Sequence, residues 1–434
     1  MPLKTLLYLG ALLFSLAASV IYHPIIGVYA YLFTYNINPS GQWWGSLLPA
    51  GFERYSFLLA IAIALGIVVK WSVLSYRRFF EKQEQLLLLL LGIIWFAAAM
   101  DGQIDYNVMK MTKVIFILLM ASHIVTSMRF FEGLLWVFIL SGLSLGYDIF
   151  TGAGEFRGGR LNTGVGGSDF GESNFLALHF SFIVPFVGVM LLKGSKKAKV
   201  TCVISAAFIL NSVVLTRSRG AFLAIAVGVV LALFSLSRLG RYRKAAVVIL
   251  LLGMVGGITL TDSRFWGRIH TISVEDAEER DSSAQQRIEA WTGAWAMAKA
   301  HPMGVGVGNF HDRIGFYKPM MAGMDAHNTY LRCLAELGFP GLFVLLWLIK
   351  TSFATLKHVD SMADQLLPEE RTEDVKLYSH AVRCALVIYL VGATFISCVY
   401  IEEFYWVLML PVFLFRAVEN ELPTANIPLE LSAS

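Results

Sequence analysis

Thirteen apolar blocks follow one another along the chain, at 3–21, 24–37, 54–74, 86–101, 111–127, 131–150, 173–192, 200–216, 220–236, 245–261, 328–352, 378–400 and 404–417. Most have the roughly 17–25 residues that carry an α-helix across a bilayer core. Only 15% of the 434 residues are charged and 56% are hydrophobic, against about 25% charged in a soluble globular chain. The fold class predicted is all-α: a polytopic membrane protein of about 12–13 transmembrane helices with the lipid bilayer as a partner. The apolar stretch after Lys4 reads as a retained first helix, because so many spans follow it. The formal net charge of +4 is not gathered into a basic tract with interleaved aromatics, so nucleic acid is excluded as a partner. Cys202, Cys333, Cys384 and Cys398 all fall in apolar spans and form no CxxC pair. They are expected to be small buried residues, with no metal site and no cofactor.

The connections set the topology. Four of them are rich in lysine and arginine: Lys70, Arg77, Arg78 and Lys82; Lys193, Lys196, Lys197 and Lys199; Arg238, Arg241, Arg243 and Lys244; and Lys350, Lys357, Arg371 and Lys376. Placing all four in the cytoplasm agrees with the spans between them. Segments 38–53, 102–110, 151–172 and 262–326 then face outward, and thirteen spans put the N-terminus outside. The expected organisation is N-terminal helices over 1–150, a core over 151–350 containing the outer loop 262–326, C-terminal helices over 351–417, and a cytoplasmic tail over 418–434. The loop should carry short helices. After the polar run 275–283, residues 284–300 place Ile288, Trp291, Trp295 and Ala298 at helical spacing.

Cations on the outer side run against the usual inward bias, and three residues there attract a functional reading. Arg219 stands in Leu215-Thr-Arg-Ser-Arg-Gly220, a tight connection in which Gly220 permits close backbone approach. Arg217 lies two positions away and on a continuous helix would point elsewhere, so Arg219 is preferred. The plain alternative is that these arginines snorkel to headgroups. Arg287 borders the apolar face of the loop helix, and the alternative for it is a surface cation paired with Asp281 or Glu289. His327, in Asp325-Ala-His-Asn-Thr-Tyr330, begins a span where Asn328 and Thr329 are available to cap the helix. A neutral imidazole there suits a general base; a capping or interfacial histidine is the alternative. Glu336, followed by Gly338, Pro340 and Gly341, sets a carboxylate inside a span, where it can pair with an arginine or orient a site. Glu402 and Glu403 are weaker candidates of that kind. The alternating glycines of 304–308 follow a helix and lack the Lys-Ser/Thr of a phosphate loop, so they are read as a turn folding the loop back over the membrane.

Three stretches together resemble the O-antigen ligase/polymerase superfamily of bacterial membrane glycosyltransferases: 216–222, 283–310, and 326–331 with 336–342. Gly171-Glu-Ser-Asn-Phe175 is similar to the same family, and the resemblance covers roughly 160–350. It implies a metal-independent GT-C-type enzyme of the bacterial inner membrane. The donor implied is a glycan on undecaprenyl pyrophosphate, used on the periplasmic side in lipopolysaccharide or exopolysaccharide synthesis. It also implies that Arg219 and Arg287 contact the pyrophosphate and that His327 activates the acceptor. Arg217, Arg160, Asn328, Tyr330 and Glu336 are expected to help bind substrate, with Arg157 a further candidate. The family's carboxylate near the last spans has no clear counterpart, Glu402 or Glu403 being the nearest. A single displacement would invert the anomeric centre. A ligase acting on lipid A–core is the first reading. A polymerase acting on a second lipid-linked glycan, an oligosaccharyltransferase acting on a protein hydroxyl, and, from another class, a polysaccharide transporter are the rivals.

Overall fold

A computed structural model describes residues 2–74, 80–163, 165–261, 263–270 and 282–422. Arg77, Arg78, Asp281, most of the polar run 275–283 and the tail from 423 lie outside the described residues.

Sixteen α-helices are described: α1 (Leu3–Ile21), α2 (Ile25–Ile37), α3 (Tyr55–Val69), α4 (Lys82–Asp101), α5 (Tyr106–Ile124), α6 (Met128–Phe150), α7 (Ser173–Lys193), α8 (Lys196–Thr216), α9 (Arg219–Phe234), α10 (Arg243–Leu260), α11 (Ser263–His270), α12 (Ser282–Ala300), α13 (Phe310–Tyr317), α14 (Thr329–Leu366), α15 (Glu369–Gly392) and α16 (Glu402–Glu421). Each of the thirteen expected spans is matched by one of them. Ten are long and apolar enough to cross a membrane. The remaining three, α2, α9 and α16, are short or carry charge at their ends. The chain is an all-α polytopic membrane protein. A small hairpin of β1 (Glu155–Arg157) and β2 (Arg160–Thr163) interrupts the glycine-rich loop after α6.

The bundle has two chemically different ends. At one, Lys193 at the end of α7 meets Glu132 of α6 and Asp374 of α15, both at 3.2 Å. Arg241, between α9 and α10, reaches Glu370, Glu373 and Asp374. Three of the basic connections thus share one end. The hairpin, the α8–α9 turn and the starts of α7 and α14 gather at the other. There Lys4 of α1 approaches Asp148 of α6 at 3.8 Å, so the chain starts at that same end.

Helix α16 runs through the middle, with every residue from 402 to 419 buried. It answers the polar groups of its neighbours. Arg416 pairs with Glu84 of α4 at 2.6 Å and meets His123 of α5 at 3.2 Å. Glu403 pairs with His179 of α7, and Glu402 accepts from Tyr31 of α2 at 3.3 Å. The Leu408 carbonyl accepts from Gln83 of α4 and Ser352 of α14. A buried charge is tolerated only when paired and hydrogen-bonded, so these bonds fix which helices can touch α16. All four cysteines are buried, as expected.

Two readings of the sequence are corrected. The apolar run 378–400 is not one span: α15 ends at Gly392, and 393–401 is an irregular buried segment. Its backbone groups are met in place of helical bonds. Thr329 Oγ1 donates to the Ile396 carbonyl at 2.8 Å and accepts from the Cys398 N–H at 2.8 Å. The loop helix α12 is rotated from the expected face. Of that face Ala298 is buried and Trp291 packs half-buried against the loop core, while Ile288 and Trp295 are 41% and 48% exposed and Ala290, Ala294 and Met297 are buried instead. Small residues let α12 lie close on α13 and α14, and a size-blind apolar pattern points at the larger side chains instead.

The loop that contains α12 and α13 has its own small core, in which Ala294, Met297, Phe310 and Ile314 pack with Met321 and Ala326. Its glycine turn is seated on a kink in α14. Gly338 has φ 68° and ψ −171°. Beside it the N–H groups of Val305 and Gly306 donate to the carbonyls of Ala335 and Glu336, and Phe339 donates to Pro302. A Cβ on Gly338 would lie 2.3 Å from the Pro302 carbonyl oxygen, so the contact requires glycine.

Candidate functional site

The turn between α8 and α9 is where the arginines meet. Helix α8 ends at Thr216, and Arg217 adopts φ 47°, a left-handed conformation uncommon outside glycine. Ser218 then caps α9, its hydroxyl accepting from the Ala221 N–H at 3.4 Å. The helix is therefore broken between Arg217 and Arg219, and the expectation that they face apart does not hold. Both line one pocket with Arg160, Arg287, Ser218, Asn174 and Phe395. Gly220 makes this possible, since a Cβ there would meet the Phe395 side chain at 3.0 Å.

The hairpin and the turn brace each other. Arg160 Nε donates to the Thr216 carbonyl at 2.9 Å, and its Nη2 donates to Ser173 Oγ at 3.0 Å. Arg217 Nη1 donates to the Gly158 carbonyl at 3.0 Å. These bonds hold two guanidinium groups against the pocket wall, beside the N-terminus of α9. Among the described residues, no Asp or Glu lines this pocket. Four permanent cations, forked donors and a helix N-terminus make an anion site suited to phosphate oxygens.

His327 lies in a neighbouring pocket with Glu172, Gln286, His311, Met321, Gly323, Met324 and Asp325. It too is left-handed, at φ 46°. Among the described residues only three non-glycines have positive φ, and two of them, Arg217 and His327, line these pockets. Backbone strain gathered in this way is a pointer to function. Asp325 lies between two imidazoles, 3.6 Å from His327 Nδ1 and 3.8 Å from His311 Nε2. Arg332 holds it from below at 3.2 Å and is itself shared with Glu336 at 3.2 Å. Burial pushes the Asp325 carboxyl upward, but the Arg332 guanidinium, then the Ser397 hydroxyl and last the two histidines outweigh it and hold the group below the usual carboxylate range.

The two pockets have common walls. Arg287 and Gln286 are neighbours on α12, and one turn on Trp291 Nε1 donates to the Ala326 carbonyl at 3.0 Å, next to His327. Asn174 lines the first pocket and Glu172 the second, at the start of α7. The structure thus brings Arg160, Arg217, Arg219 and Arg287 together and sets His327 alongside them.

It does not bring Asn328, Tyr330 or Glu336 into either pocket lining. Asn328 caps α14, accepting from the N–H groups of Tyr330 and Leu331 at 3.0 Å. The Tyr330 hydroxyl donates to the Leu390 carbonyl at 2.9 Å. Glu336 is fully buried and accepts from the Phe310 N–H and from Arg332. These three fix the frame around His327. Glu289 is paired with Lys318 at 2.7 Å. Glu402 and Glu403 turn into the bundle and line neither pocket. His311, Asp325, Arg332 and Glu172 had no role in the sequence reading. Asp325 lies inside the His327 motif and Arg332 just beyond it, which is the signal that was available for them.

Comparison with known proteins finds one family. Residues 204–346 match the family model of O-antigen ligase. The matched stretch holds Arg217, Arg219, Arg287, His311, Asp325, His327 and Glu336, and leaves out Arg160 and Glu172. It falls within the region that carried the resemblance in the sequence. No curated protein matches the chain.

Proposed function

We propose, taking the O-antigen ligase match over 204–346 as premise, that the protein transfers a glycan from undecaprenyl pyrophosphate to an acceptor hydroxyl on the periplasmic face of the inner membrane. The match itself supports a ligase-like role in surface polysaccharide synthesis. The observation that carries the finer reading is the convergence of Arg160, Arg217, Arg219 and Arg287 on one pocket beside His327.

The chemistry follows from the two pockets. The donor pyrophosphate sits among the arginines, with its anomeric carbon toward His327. The acceptor O–H gives its proton to the imidazole as its oxygen bonds to that carbon. The bond from the carbon to the pyrophosphate oxygen breaks, and the lipid pyrophosphate leaves with the electron pair. Charge grows on the leaving oxygen, where preorganised cations stabilise the transition state; losing one such donor costs about 2.7–4 kcal/mol in comparable sites. One displacement inverts the anomeric centre and needs no protein nucleophile. Asp325 suits the role of orienter, favouring the imidazolium that forms.

Full-length protein in nanodiscs, given a lipid-linked glycan and an acceptor, tests this. Arg219→Ala and Arg287→Ala should each lower transfer by about 10²–10³-fold. Near wild-type transfer by both variants would overturn the pyrophosphate assignment.

A further inference from the structure

The two pockets differ in charge as sharply as they agree in position. Among the described residues, four arginines and no carboxylate line the first. Among the described residues, two carboxylates, Glu172 and Asp325, and no lysine or arginine line the second. Arg332 answers Asp325 from below at 3.2 Å but is divided with the fully buried Glu336, so one guanidinium is shared between two carboxyl groups. Glu172 adds another at the pocket wall, exposed to whatever enters.

An entering molecule therefore meets two carboxylates that only accept hydrogen bonds, together with the Gln286 amide and the imidazoles of His311 and His327, which can both donate and accept. Sugar hydroxyls satisfy such groups by donating to them. Met321 and Met324 offer soft apolar contact to the C–H face of a ring. A carboxylate or phosphate finds no lysine or arginine among the described residues here and is drawn instead to the arginine pocket alongside, where it competes with the donor.

The geometry points to an acceptor whose reacting end is an uncharged sugar, with Glu172 as the specificity-determining residue that turns away acidic ends. This rests on the donor reading above for the direction of transfer, but the charge preference belongs to the second pocket alone. Glu172 and its carboxylate act by like-charge repulsion across a partly hydrated pocket, which is expected to be worth about tenfold in binding.

Saturation-transfer NMR on full-length protein in nanodiscs reads this directly. The probes are three matched pairs of methyl glycosides: glucoside and glucuronide, galactoside and galacturonide, mannoside and mannuronide. A neutral member should receive saturation in at least one pair, about tenfold above its uronide. Glu172→Gln should narrow that ratio and Glu172→Lys should reverse it. The proposal is overturned if any uronide binds as well as its neutral partner. It is equally overturned if the Glu172 variants leave the ratio unchanged or if no neutral glycoside receives saturation. The same measurement on Arg219→Ala separates the two readings. Loss of transfer with the ratio intact supports both, and transfer that survives Arg219→Ala with the ratio intact removes the donor reading only.

Discussion

Replacing His327 by glycine should raise stability while abolishing transfer. The imidazole is carried on a backbone at φ 46°, a conformation that costs a residue with a Cβ about 1–2 kcal/mol. Glycine removes that strain and loses about 0.5–1 kcal/mol through its freer unfolded chain, leaving a net gain of about 0.5–1 kcal/mol. Little is lost in exchange. The side chain is 35% exposed and 3.6 Å from Asp325, beyond hydrogen-bond length. Alanine keeps the strain, so His327→Ala should melt below His327→Gly by a similar amount, at most about 2 °C in a chain this long. Both variants should lose roughly 10²–10⁴-fold in transfer, the usual worth of a positioned base. Tryptophan-fluorescence melting and transfer from a lipid-linked glycan, on the same nanodisc samples, give the two readouts. A glycine variant that transfers at the wild-type rate refutes the base. One that melts below the alanine variant refutes the strain argument.

Two further outcomes are expected. Asp325→Asn removes the carboxylate that stands 3.6 Å from His327 Nδ1 and 3.8 Å from His311 Nε2, and with it the proposed orienter of the base. Transfer should fall while the chain still folds; a variant that transfers at the wild-type rate contradicts the assignment. The depressed Asp325 carboxyl contributes stability that is present above the ordinary carboxylate range and lost as pH falls through its lowered value. The same variant should therefore flatten the acid side of the melting-temperature profile. Gly338→Ala forces a Cβ to 2.3 Å from the Pro302 oxygen at φ 68° and should destabilise by about 3 kcal/mol or more. Gly253→Ala, with nothing within 4 Å of the new Cβ, should be neutral or stabilising in the same melting assay.

How much of this was legible beforehand depended on the kind of signal. The spans were legible because length and apolarity are one-dimensional quantities, and the first ends of α7, α8 and α14 fall close to where the sequence put them. The irregular segment 393–401 was not, because a buried loop and a buried helix carry the same apolar composition. Thr329, sixty-odd residues earlier, is what supplies its hydrogen bonds. The arginine cluster was half legible. Each arginine stood out by its charge, but Arg217 and Arg219 were judged as if on one helix. Only the left-handed turn at Arg217 aims both at one pocket. Arg160 comes to the same place through the Thr216 carbonyl, a backbone partner that no side-chain motif announces. Asp325 sat in the quoted motif unread because its role depends on Arg332 and His311 reaching it in space.

The position of α16 bears on how the protein is made. Glu84 waits for Arg416 across 332 residues of chain, and at about 5–20 residues per second that is roughly 20–60 s of translation. Before α16 is in place, α4 carries Glu84 without the charge of Arg416, α7 carries His179 without Glu403, Tyr31 lacks Glu402 and Gln83 lacks the Leu408 carbonyl. Without α16, Glu84, His179 and Tyr31 would each be short of a buried partner at once, so the polar interior of the bundle closes only around this helix.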